Sequence, residues 1–218
     1  SIQKINFGQD LPYLFNLTPS TVVTSDAVAG VGYTGIRIRG VDPTRTNVTI
    51  NGIPINDSES HGTYWVNMPD FASSIDNIQI QRGVGTSSNG AAAFGASINI
   101  KTNEVVKDPY GEIHTSYGSF GTLKNTIKVG TGLINNKFTL DTRLSRITSD
   151  GYIDRASSNL QSFYLSGAWL GKKSVLRANV FSGKEITYQA WYGTPQCIVD
   201  GNDADKNAYA DRNYLSDS

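Results

Sequence analysis

Residues 75–102 read IDNIQIQRGVGTSSNGAAAFGASINIKT, with an alternating segment at each end and a centre rich in glycine, alanine and serine. In the first segment, Ile78 and Ile80 alternate with glutamines, and a period of two residues predicts a strand with one buried face. The last segment, SINIK at residues 97–101, predicts a second strand. The centre, residues 83–95, predicts a loop or short helix. It lacks the Lys-Ser/Thr ending of a phosphate-binding loop, so we expect no nucleotide binding.

The residues before this stretch carry further strand and turn signals. GIRIRG at residues 35–40 alternates apolar and basic side chains, as expected of a strand with one buried face. NVTI at residues 47–50 predicts another strand, and the Asn51-Gly52 pair that follows is a strong hairpin signal. DLPYLF at residues 10–15 predicts the start of a short helix, capped by its aspartate. Together these elements predict a small mixed α+β domain.

The pattern becomes more regular after residue 105, which we take as the boundary between a first domain, residues 1–105, and a second region, residues 106–218. Five segments of the second region alternate apolar with polar side chains and predict a meander of antiparallel strands. These segments are residues 111–117, 123–129, 138–145, 161–170 and 174–181. The strands of a transmembrane barrel show this alternation, and so do the strands of a soluble antiparallel sandwich. The pattern by itself favours neither.

The composition narrows the possible functions. Lys+Arg and Asp+Glu number 19 each, so the net charge is zero, whereas a nucleic-acid partner would require a basic excess. The single cysteine, Cys197, excludes an intrachain disulfide. The two histidines, His61 and His114, are far apart, so we expect no metal site. No nucleophile with a nearby base stands out, and we therefore expect neither an enzyme nor a bound cofactor.

Three motifs, in order, resemble those of TonB-dependent outer-membrane receptors. Residues 82–102 align without a gap to part of that family's plug signature, R-G-P-x-x-x-x-Y-G-x-x-x-x-G-G-x-I-N-I-x-T. Upstream, IRIRG at residues 36–40 is similar to the family's I-R-I-R-G, and VTINGIPI at residues 48–55 to its V-L-I-D-G-V-P-L. The departures from the family pattern are Gln79, Val84, Asn89 and Ala96.

The resemblance implies a plug domain followed by antiparallel β strands of an incomplete transmembrane β-barrel, in an iron-complex-receptor-like subgroup. In such receptors a barrel of ~22 strands encloses the plug. The inner-membrane partner TonB pulls on a segment that would lie upstream of Ser1. The implied function is active uptake of a scarce nutrient, such as an iron–siderophore, haem, cobalamin or an oligosaccharide. The expected location is the outer membrane of a Gram-negative bacterium, with lipid around the barrel.

The resemblance also selects candidate site residues. It places an apical loop that faces the ligand cavity after the hairpin, where polar and aromatic side chains are concentrated. The expected ligand contacts are Arg39, Asp57, Glu59, His61, Tyr64 and Trp65. Arg37 and Arg82 are expected to dock the plug on barrel carboxylates, because an unpaired buried charge is costly. Two alternatives stay open, namely that Arg39 also docks the plug and that Trp65 packs beneath a mobile loop.

The residues beyond 187 are polar and aromatic. Tyr188, Trp191 and Tyr192 fit an aromatic girdle or the loop just above it. The aspartates of this region are Asp200, Asp203, Asp205 and Asp211. They do not follow the spacing of an EF-hand, so a solvated extracellular loop is the better interpretation. Two rival functions stay open: a signalling receptor of the same family, and a soluble β-rich ligand-binding or adhesion module without transport.

Overall fold

The computed structural model describes residues 5–25, 30–84, 93–102, 105–152 and 156–187. The strands in these ranges are β1 (Thr21–Ser25), β2 (Thr34–Ile38), β3 (Thr46–Ile50), β4 (Ile53–Pro54), β5 (Ile75–Arg82), β6 (Ala96–Thr102), β7 (Tyr110–Tyr117), β8 (Leu123–Gly130), β9 (Phe138–Ser149), β10 (Ser158–Leu170) and β11 (Val175–Thr187). The helical segments are short 3₁₀ helices at Leu11–Phe15, Pro43–Arg45, Trp65–Asn67 and Phe71–Ser74. No helix in the described ranges is long and apolar enough to cross a membrane.

The N-terminal domain is built on a four-stranded sheet in the order β4-β3-β6-β5. β3 runs parallel to β6, with Val48 opposite Ile98, and β5 is antiparallel to β6. The predicted hairpin is confirmed, since β3 and β4 are antiparallel neighbours. Asn51 and Gly52 both have positive φ, 53° and 84°, as a two-residue hairpin turn requires. β1 and β2 form a separate antiparallel pair.

One apolar core holds this domain together. Side chains of β2, β3 and β6 supply its centre, and the 3₁₀ helices pack against them. The buried residues of the centre are Ile36, Ile38, Val48, Ile50, Ile98 and Ile100. Trp65 and Phe71 belong to the same cluster, and so does Tyr164 of β10. Burying side chains of this size stabilises a fold by ~1.5–3 kcal/mol each. The core of the domain therefore continues into the second region.

Asp10 precedes the first 3₁₀ helix, but its side chain does not cap it, contrary to the prediction. The backbone N–H of Gly32 and the hydroxyl of Thr34 donate to Asp10 Oδ2 instead, at 3.1 and 3.0 Å. Burial raises the pKa of the Asp10 carboxyl to about 7, although these two hydrogen bonds act in the opposite direction. Asp10 thus fixes the segment that leads into β2 rather than the helix that follows Asp10.

Replacing Asp10 with asparagine will flatten the pH dependence of this part of the domain. The folded-state pKa lies above its ordinary value of 3.8, so the stabilisation is complete below about pH 4 and is lost as the pH rises through about 7. Asparagine keeps an oxygen acceptor and cannot ionise. We expect amide exchange at residues 30–36 of the full-length protein, corrected for intrinsic rates, to accelerate as the pH rises from about 4 to about 7 in the wild type but not in Asp10→Asn.

Asp42→Asn is the matched control for this measurement. Asp42 is exposed, and hydrogen bonds from Thr44 lower the pKa of its carboxyl, so it stays ionised through the neutral range. The control should keep the wild-type pH profile. A wild-type profile in Asp10→Asn would show that another group sets the pH dependence, for instance Glu185, which interacts electrostatically with Asp10.

The remaining strands form one antiparallel sheet in the order β7-β8-β9-β10-β11, which we call the wall. The predicted five-strand meander is confirmed, because each strand pairs with the next along the chain. β9 extends beyond its predicted segment to Ser149, and β10 begins before its predicted segment, at Ser158. Polar residues on the inward face continue both strands, and by composition they resemble loop residues.

The two faces of the wall have opposite polarity. Its outward side chains include many exposed apolar residues: Ile113, Ile127, Val129, Leu140, Leu144, Phe163, Leu165, Leu176 and Val180. Its inward side chains pack on the N-terminal domain and include buried polar residues: Lys124, Thr126, Asp141, Arg143, Ser145 and Ser166. A soluble sandwich buries its apolar face, whereas a barrel wall presents that face to lipid. Of the two interpretations that the sequence leaves open, this polarity is that of a barrel wall.

Candidate functional site at the junction of domain and wall

Asp70 is the residue through which the N-terminal domain contacts the wall most closely. It follows Pro69 and precedes the last 3₁₀ helix of the domain, with φ at +49°. Aspartate tolerates this left-handed conformation better than most residues do. The turn brings the carboxylate against β8 and β9, and Asp70 is 6 % exposed. The local backbone therefore places a buried carboxylate at the inward face of the wall.

Both carboxylate oxygens of Asp70 accept hydrogen bonds. Asp70 Oδ1 accepts from Lys124 Nζ at 2.7 Å and from Ser73 Oγ at 2.6 Å. Asp70 Oδ2 accepts from Thr126 Oγ1 at 2.9 Å and from Ser145 Oγ, and Arg143 Nη1 lies 3.4 Å from it. Arg143 also donates to the backbone oxygen of Asp70. We call these residues, with Asn6, the Asp70 cluster: Asn6, Asp70, Ser73, Lys124, Thr126, Arg143 and Ser145.

The charges of the cluster explain why Asp70 stays ionised. Burial disfavours the charged carboxylate, but the positive charges of Lys124 and Arg143 and the hydrogen bonds outweigh it and hold the pKa of Asp70 at about 2. The side chains of both cations are only 3 % exposed. Each charge in the cluster therefore depends on the others, and the contacts join the N-terminal domain to two adjacent strands of the wall.

A second set of contacts joins the domain to β10 and β11. The hydroxyl of Tyr164 donates to Thr102 Oγ1 at 2.8 Å, and Arg177 Nη1 donates to the backbone oxygen of Thr102 at 3.2 Å. The ring of Phe71 lies 6.4 Å from that of Tyr164 and 5.4 Å from that of Phe181, measured between centroids. Thr102 ends β6, so the wall holds the last strand of the domain as well as the Asp70 turn.

Gly183 of β11 allows a close approach between the domain and the wall. A Cβ atom at this position would lie 2.5 Å from Pro69 Cγ and 2.7 Å from Pro69 Cδ. Contacts this short do not occur between real atoms, so the proline ring fills the space that any other residue at 183 would use. Because Pro69 immediately precedes Asp70, this contact also fixes the position of the Asp70 cluster.

The predicted ligand residues after the hairpin form an exposed turn. Asp57 Oδ1 accepts hydrogen bonds from the backbone N–H groups of Glu59 and Ser60, at 3.0 and 2.7 Å, and these bonds lower the pKa of the Asp57 carboxyl. His61 has a positive φ of 58° and is exposed, and Tyr64 is 48 % exposed. The turn presents acidic, imidazole and phenol groups to the surroundings. Contact with a ligand stays a prediction.

Trp65 and Arg39 are placed differently from the other predicted ligand residues. Trp65 is 4 % exposed in the core of the domain, as the alternative interpretation had it. This burial does not favour direct contact with a ligand. Arg39 is exposed with φ at +56°, and its guanidinium lies across Gly83, where a Cβ atom would be 2.9 Å from Nη1. Ligand contact by either residue stays a prediction.

The predicted docking arginines lie away from the Asp70 cluster. Arg37 is exposed on β2, opposite Val22 of β1. Arg82 is exposed and donates to the backbone oxygen of Pro19 at 3.1 Å. Docking of these arginines on the barrel stays a prediction. The junction that the structure does show has the opposite polarity, since the domain supplies the carboxylate and the wall supplies the cations.

Sequence reasoning missed Asp70 and its partners. Asp70 is one polar residue in the segment MPDF, and Lys124 and Arg143 are two of several cations on polar strand faces. Lys124 is 54 positions from Asp70 and Arg143 is 73 positions from it, so nothing in the local sequence indicates that they pair. Among the described residues, no group of three or more His, Cys, Asp or Glu side chains is arranged to hold a metal ion. Tyr188, Trp191, Tyr192 and the aspartates beyond residue 199 lie outside the described residues.

Comparison with known proteins agrees with this architecture. Residues 2–97 match the family model of the TonB-dependent receptor plug domain. A curated relative, the probable TonB-dependent siderophore receptor PirA of Acinetobacter baumannii, is 25 % identical over 122 residues, which are 51 % of this chain and 16 % of the relative. The chain thus spans about a sixth of that relative's length.

Solved structures show the same fold. The siderophore receptor PirA from Acinetobacter baumannii superposes with a TM-score of 0.64 at 20 % identity, covering 85 % of this chain and 30 % of the receptor. FpvA of P. aeruginosa, bound to a pyoverdine, superposes with a TM-score of 0.70 at 15 % identity, covering 85 % of this chain and 24 % of FpvA. The copper transporter OprC superposes with a TM-score of 0.69 at 15 % identity, covering 84 % of this chain and 29 % of OprC. Residues 2–97 therefore match the plug domain of TonB-dependent receptors, and the strands behind them resemble part of the barrel of such receptors in fold.

Proposed function

We propose that this chain is part of an outer-membrane receptor that takes up a scarce metal complex, an iron–siderophore first of all, with energy delivered through TonB. The observation that carries the proposal is the polarity of the wall. The polar face of β8, β9 and β10 packs on the plug domain, whereas the apolar face of the wall is exposed. This is the arrangement of a plug inside a polar lumen whose outer surface meets lipid. The names of the siderophore-receptor relatives support the choice of ligand class.

The exposed turn after the hairpin supplies the proposed ligand contacts. Asp57, Glu59, His61 and Tyr64 are all exposed and lie within one short segment, and Arg39 is exposed in the turn after β2. A ferric complex with aromatic and anionic groups can receive hydrogen bonds, ring contacts and a positive charge from such a set. The metal travels as part of the ligand, so these side chains need to recognise the complex and not to coordinate the ion.

The Asp70 cluster has a defined part in the proposed transport. No bond of the ligand is broken, so the energy transmitted by TonB goes into displacing plug contacts. The cluster and the Tyr164–Thr102 contact hold one end of the plug sheet against the wall, because Thr102 is paired with Ile75, which follows the Asp70 turn. A pull on the plug therefore meets resistance at these points, and segments without such contacts are free to move first.

Uptake by whole cells tests the proposal. The gene for the full-length protein is deleted from its host, and uptake of iron is measured with radiolabelled ferric enterobactin and ferric pyoverdine as probes. We expect uptake of at least one probe to fall to background in the deletion strain and in a strain without TonB, and to return with the plasmid-borne gene. Haemin, cyanocobalamin and a copper salt serve as further probes of the ligand class.

Solubility separates this proposal from the soluble β-rich module. A receptor of this kind should sediment with outer membranes and need detergent for extraction. Full-length protein that stays dispersed in buffer without detergent would contradict the barrel and the transport function together. Membrane-bound protein whose deletion changes no probe's uptake would contradict only the transport function.

A further inference from the structure

The exposed turn after the hairpin, residues 57–62, is closed by its own hydrogen bonds. The backbone N–H of Asp57 donates to the backbone oxygen of Gly62 at 2.8 Å, and the N–H of His61 donates to the backbone oxygen of Asp57 at 2.9 Å. The Asp57 carboxylate accepts two more bonds from backbone N–H groups inside the turn. These bonds fix the shape of the turn, but they do not fix where the turn lies on the domain.

The side chain of Asn56 joins the turn to β3. Asn56 Oδ1 accepts a hydrogen bond from the backbone N–H of Val48 at 2.8 Å, and Asn56 Nδ2 donates to the backbone oxygen of Thr46 at 2.9 Å. The same Nδ2 also donates to the backbone oxygen of His61 at 2.9 Å. A single half-buried amide therefore bonds to the strand on one side and to the turn on the other.

The Asn56 amide takes the place of a further peptide group of β4. β4 ends at Pro54, and the N–H of Ile55 adds one more bond to the backbone oxygen of Val48, at 2.9 Å. Beyond Ile55 the main chain leaves the strand, and the side chain of Asn56 pairs with the N–H of Val48 instead. Val48 is buried, and a buried N–H without a partner is unfavourable, so β3 holds this amide in place.

β3 gives the turn a rigid base. It lies between β4 and β6 in the sheet, and each of its five residues is buried. Buried central strands are among the last parts of a fold to open. β4, which leads into the turn, is only two residues long and is exposed. The position of the turn therefore depends on the Asn56 amide more than on the strand that precedes it.

We propose that Asn56 is a positioning residue for ligand recognition, which holds the turn and the imidazole of His61 in the conformation that receives the ferric complex. Asn56 acts on the backbone of the turn and does not touch the ligand. His61 has a positive φ of 58°, a conformation that a residue other than glycine adopts at some cost, and the bond to its backbone oxygen helps to maintain it. A turn ordered in advance has less freedom to lose on binding. This inference rests on the proposed function, which places the ligand at the turn.

Binding kinetics distinguish a positioning residue from a residue that touches the ligand. Binding of ferric pyoverdine and ferric enterobactin to the full-length protein in detergent is followed by stopped-flow tryptophan fluorescence. A turn that is correctly placed only part of the time lowers the apparent affinity by that fraction, so we expect Asn56→Ala to lower kon about tenfold and to change koff less than about twofold. Loss of a direct contact acts mainly on dissociation, so His61→Gly should raise koff at least about fivefold.

Amide exchange of the ligand-free protein measures the anchor directly. We expect residues 57–62 to exchange about tenfold faster in Asn56→Ala, with the sheet at its wild-type rate. His61→Gly should leave the turn near its wild-type exchange, because it keeps the bonded backbone oxygen and glycine adopts a positive φ without strain. The matched control is Asn77→Ala, which removes the same side chain from an exposed position of β5, at the opposite edge of the plug sheet. It should keep wild-type exchange and both wild-type rate constants.

Three outcomes would overturn the inference. Equal exchange of residues 57–62 in Asn56→Ala and in the control would show that the amide does not hold the turn. Wild-type kon in Asn56→Ala would show that ligand recognition does not depend on the anchor. A loss of affinity through koff alone would make Asn56 a ligand contact instead. The exchange measurement needs no ligand, so it decides on the anchor even where every uptake probe fails and the proposed ligand class is wrong.

Discussion

Replacing Asp70 with asparagine will loosen the plug domain from β8 and β9. The change leaves Lys124 and Arg143 buried without their counter-charge, and removing one partner of a buried ion pair costs ~3–5 kcal/mol. Since 1.4 kcal/mol is a factor of ten in an equilibrium, the junction should open about 100-fold more often or more. We expect this acceleration in hydrogen–deuterium exchange of residues 68–75 in the full-length protein.

Asp57→Asn is the matched control, because Asp57 is also a hydrogen-bonded plug carboxylate but is exposed and contacts only its own turn. It should leave exchange at residues 68–75 at the wild-type rate. A second variant, Asp70→Asn with Lys124→Met, removes one of the stranded cations and should recover part of the lost protection. If Asp70→Asn exchanges as the control does, the cluster does not hold the junction.

The pH dependence of the same segment follows from the pKa of Asp70. The folded-state pKa, about 2, lies below the ordinary value of 3.8. A depressed carboxyl pKa stabilises the fold fully above about pH 4, and this contribution is lost as the pH falls through about 2. The junction should therefore be insensitive to mild acid, in contrast to the Asp10 segment, where the sensitive range extends from about pH 4 to about pH 7.

The strands of this protein could be predicted from sequence because their signals are local. Alternation over residues 111–181 and the Asn51-Gly52 turn each need only neighbouring residues, and the observed β3–β4 hairpin and wall agree with them. The environment that each face of the wall meets could not be predicted from neighbouring residues. An alternating strand has the same sequence whether the apolar face meets lipid or another sheet, and only the packing of the plug on the polar face distinguishes the two.

The candidate site was harder to predict for a related reason. Buried ion pairs join residues far apart in sequence, so the cations of β8 and β9 looked like ordinary residues of a polar face until Asp70 was placed against them. Arg37 and Arg82 stood out because they lie in recognisable motifs. A motif identifies a family, whereas burial decides which charges must be paired. The burial of Trp65 could not be predicted either, because the residues around it in the sequence are polar although its side chain lies in the core.

Replacing Gly183 with alanine will push the Pro69 turn away from the wall. The new Cβ would meet Pro69 Cγ at 2.5 Å, so the proline ring, the strand or both must move by about an ångström. Overpacking of this kind costs ~1–3 kcal/mol. Because Pro69 is adjacent to Asp70, the displacement should also lengthen the hydrogen bonds of the Asp70 cluster. We expect faster exchange at residues 65–75 and, on the proposed function, a measurable conductance of the full-length protein in planar bilayers.

Gly167→Ala provides the matched control for the Gly183 variant. Gly167 lies in the neighbouring strand β10, and a Cβ there would meet nothing closer than Leu140 Cδ1 at 3.7 Å, an ordinary contact. The same substitution should therefore leave exchange and conductance at wild-type values. Pro69→Ala combined with Gly183→Ala removes the ring that the new methyl group strikes, so it should restore most of the protection. Equal behaviour of the two single alanine variants would mean that the Pro69 contact does not position the plug, and that the Asp70 cluster holds the junction without it.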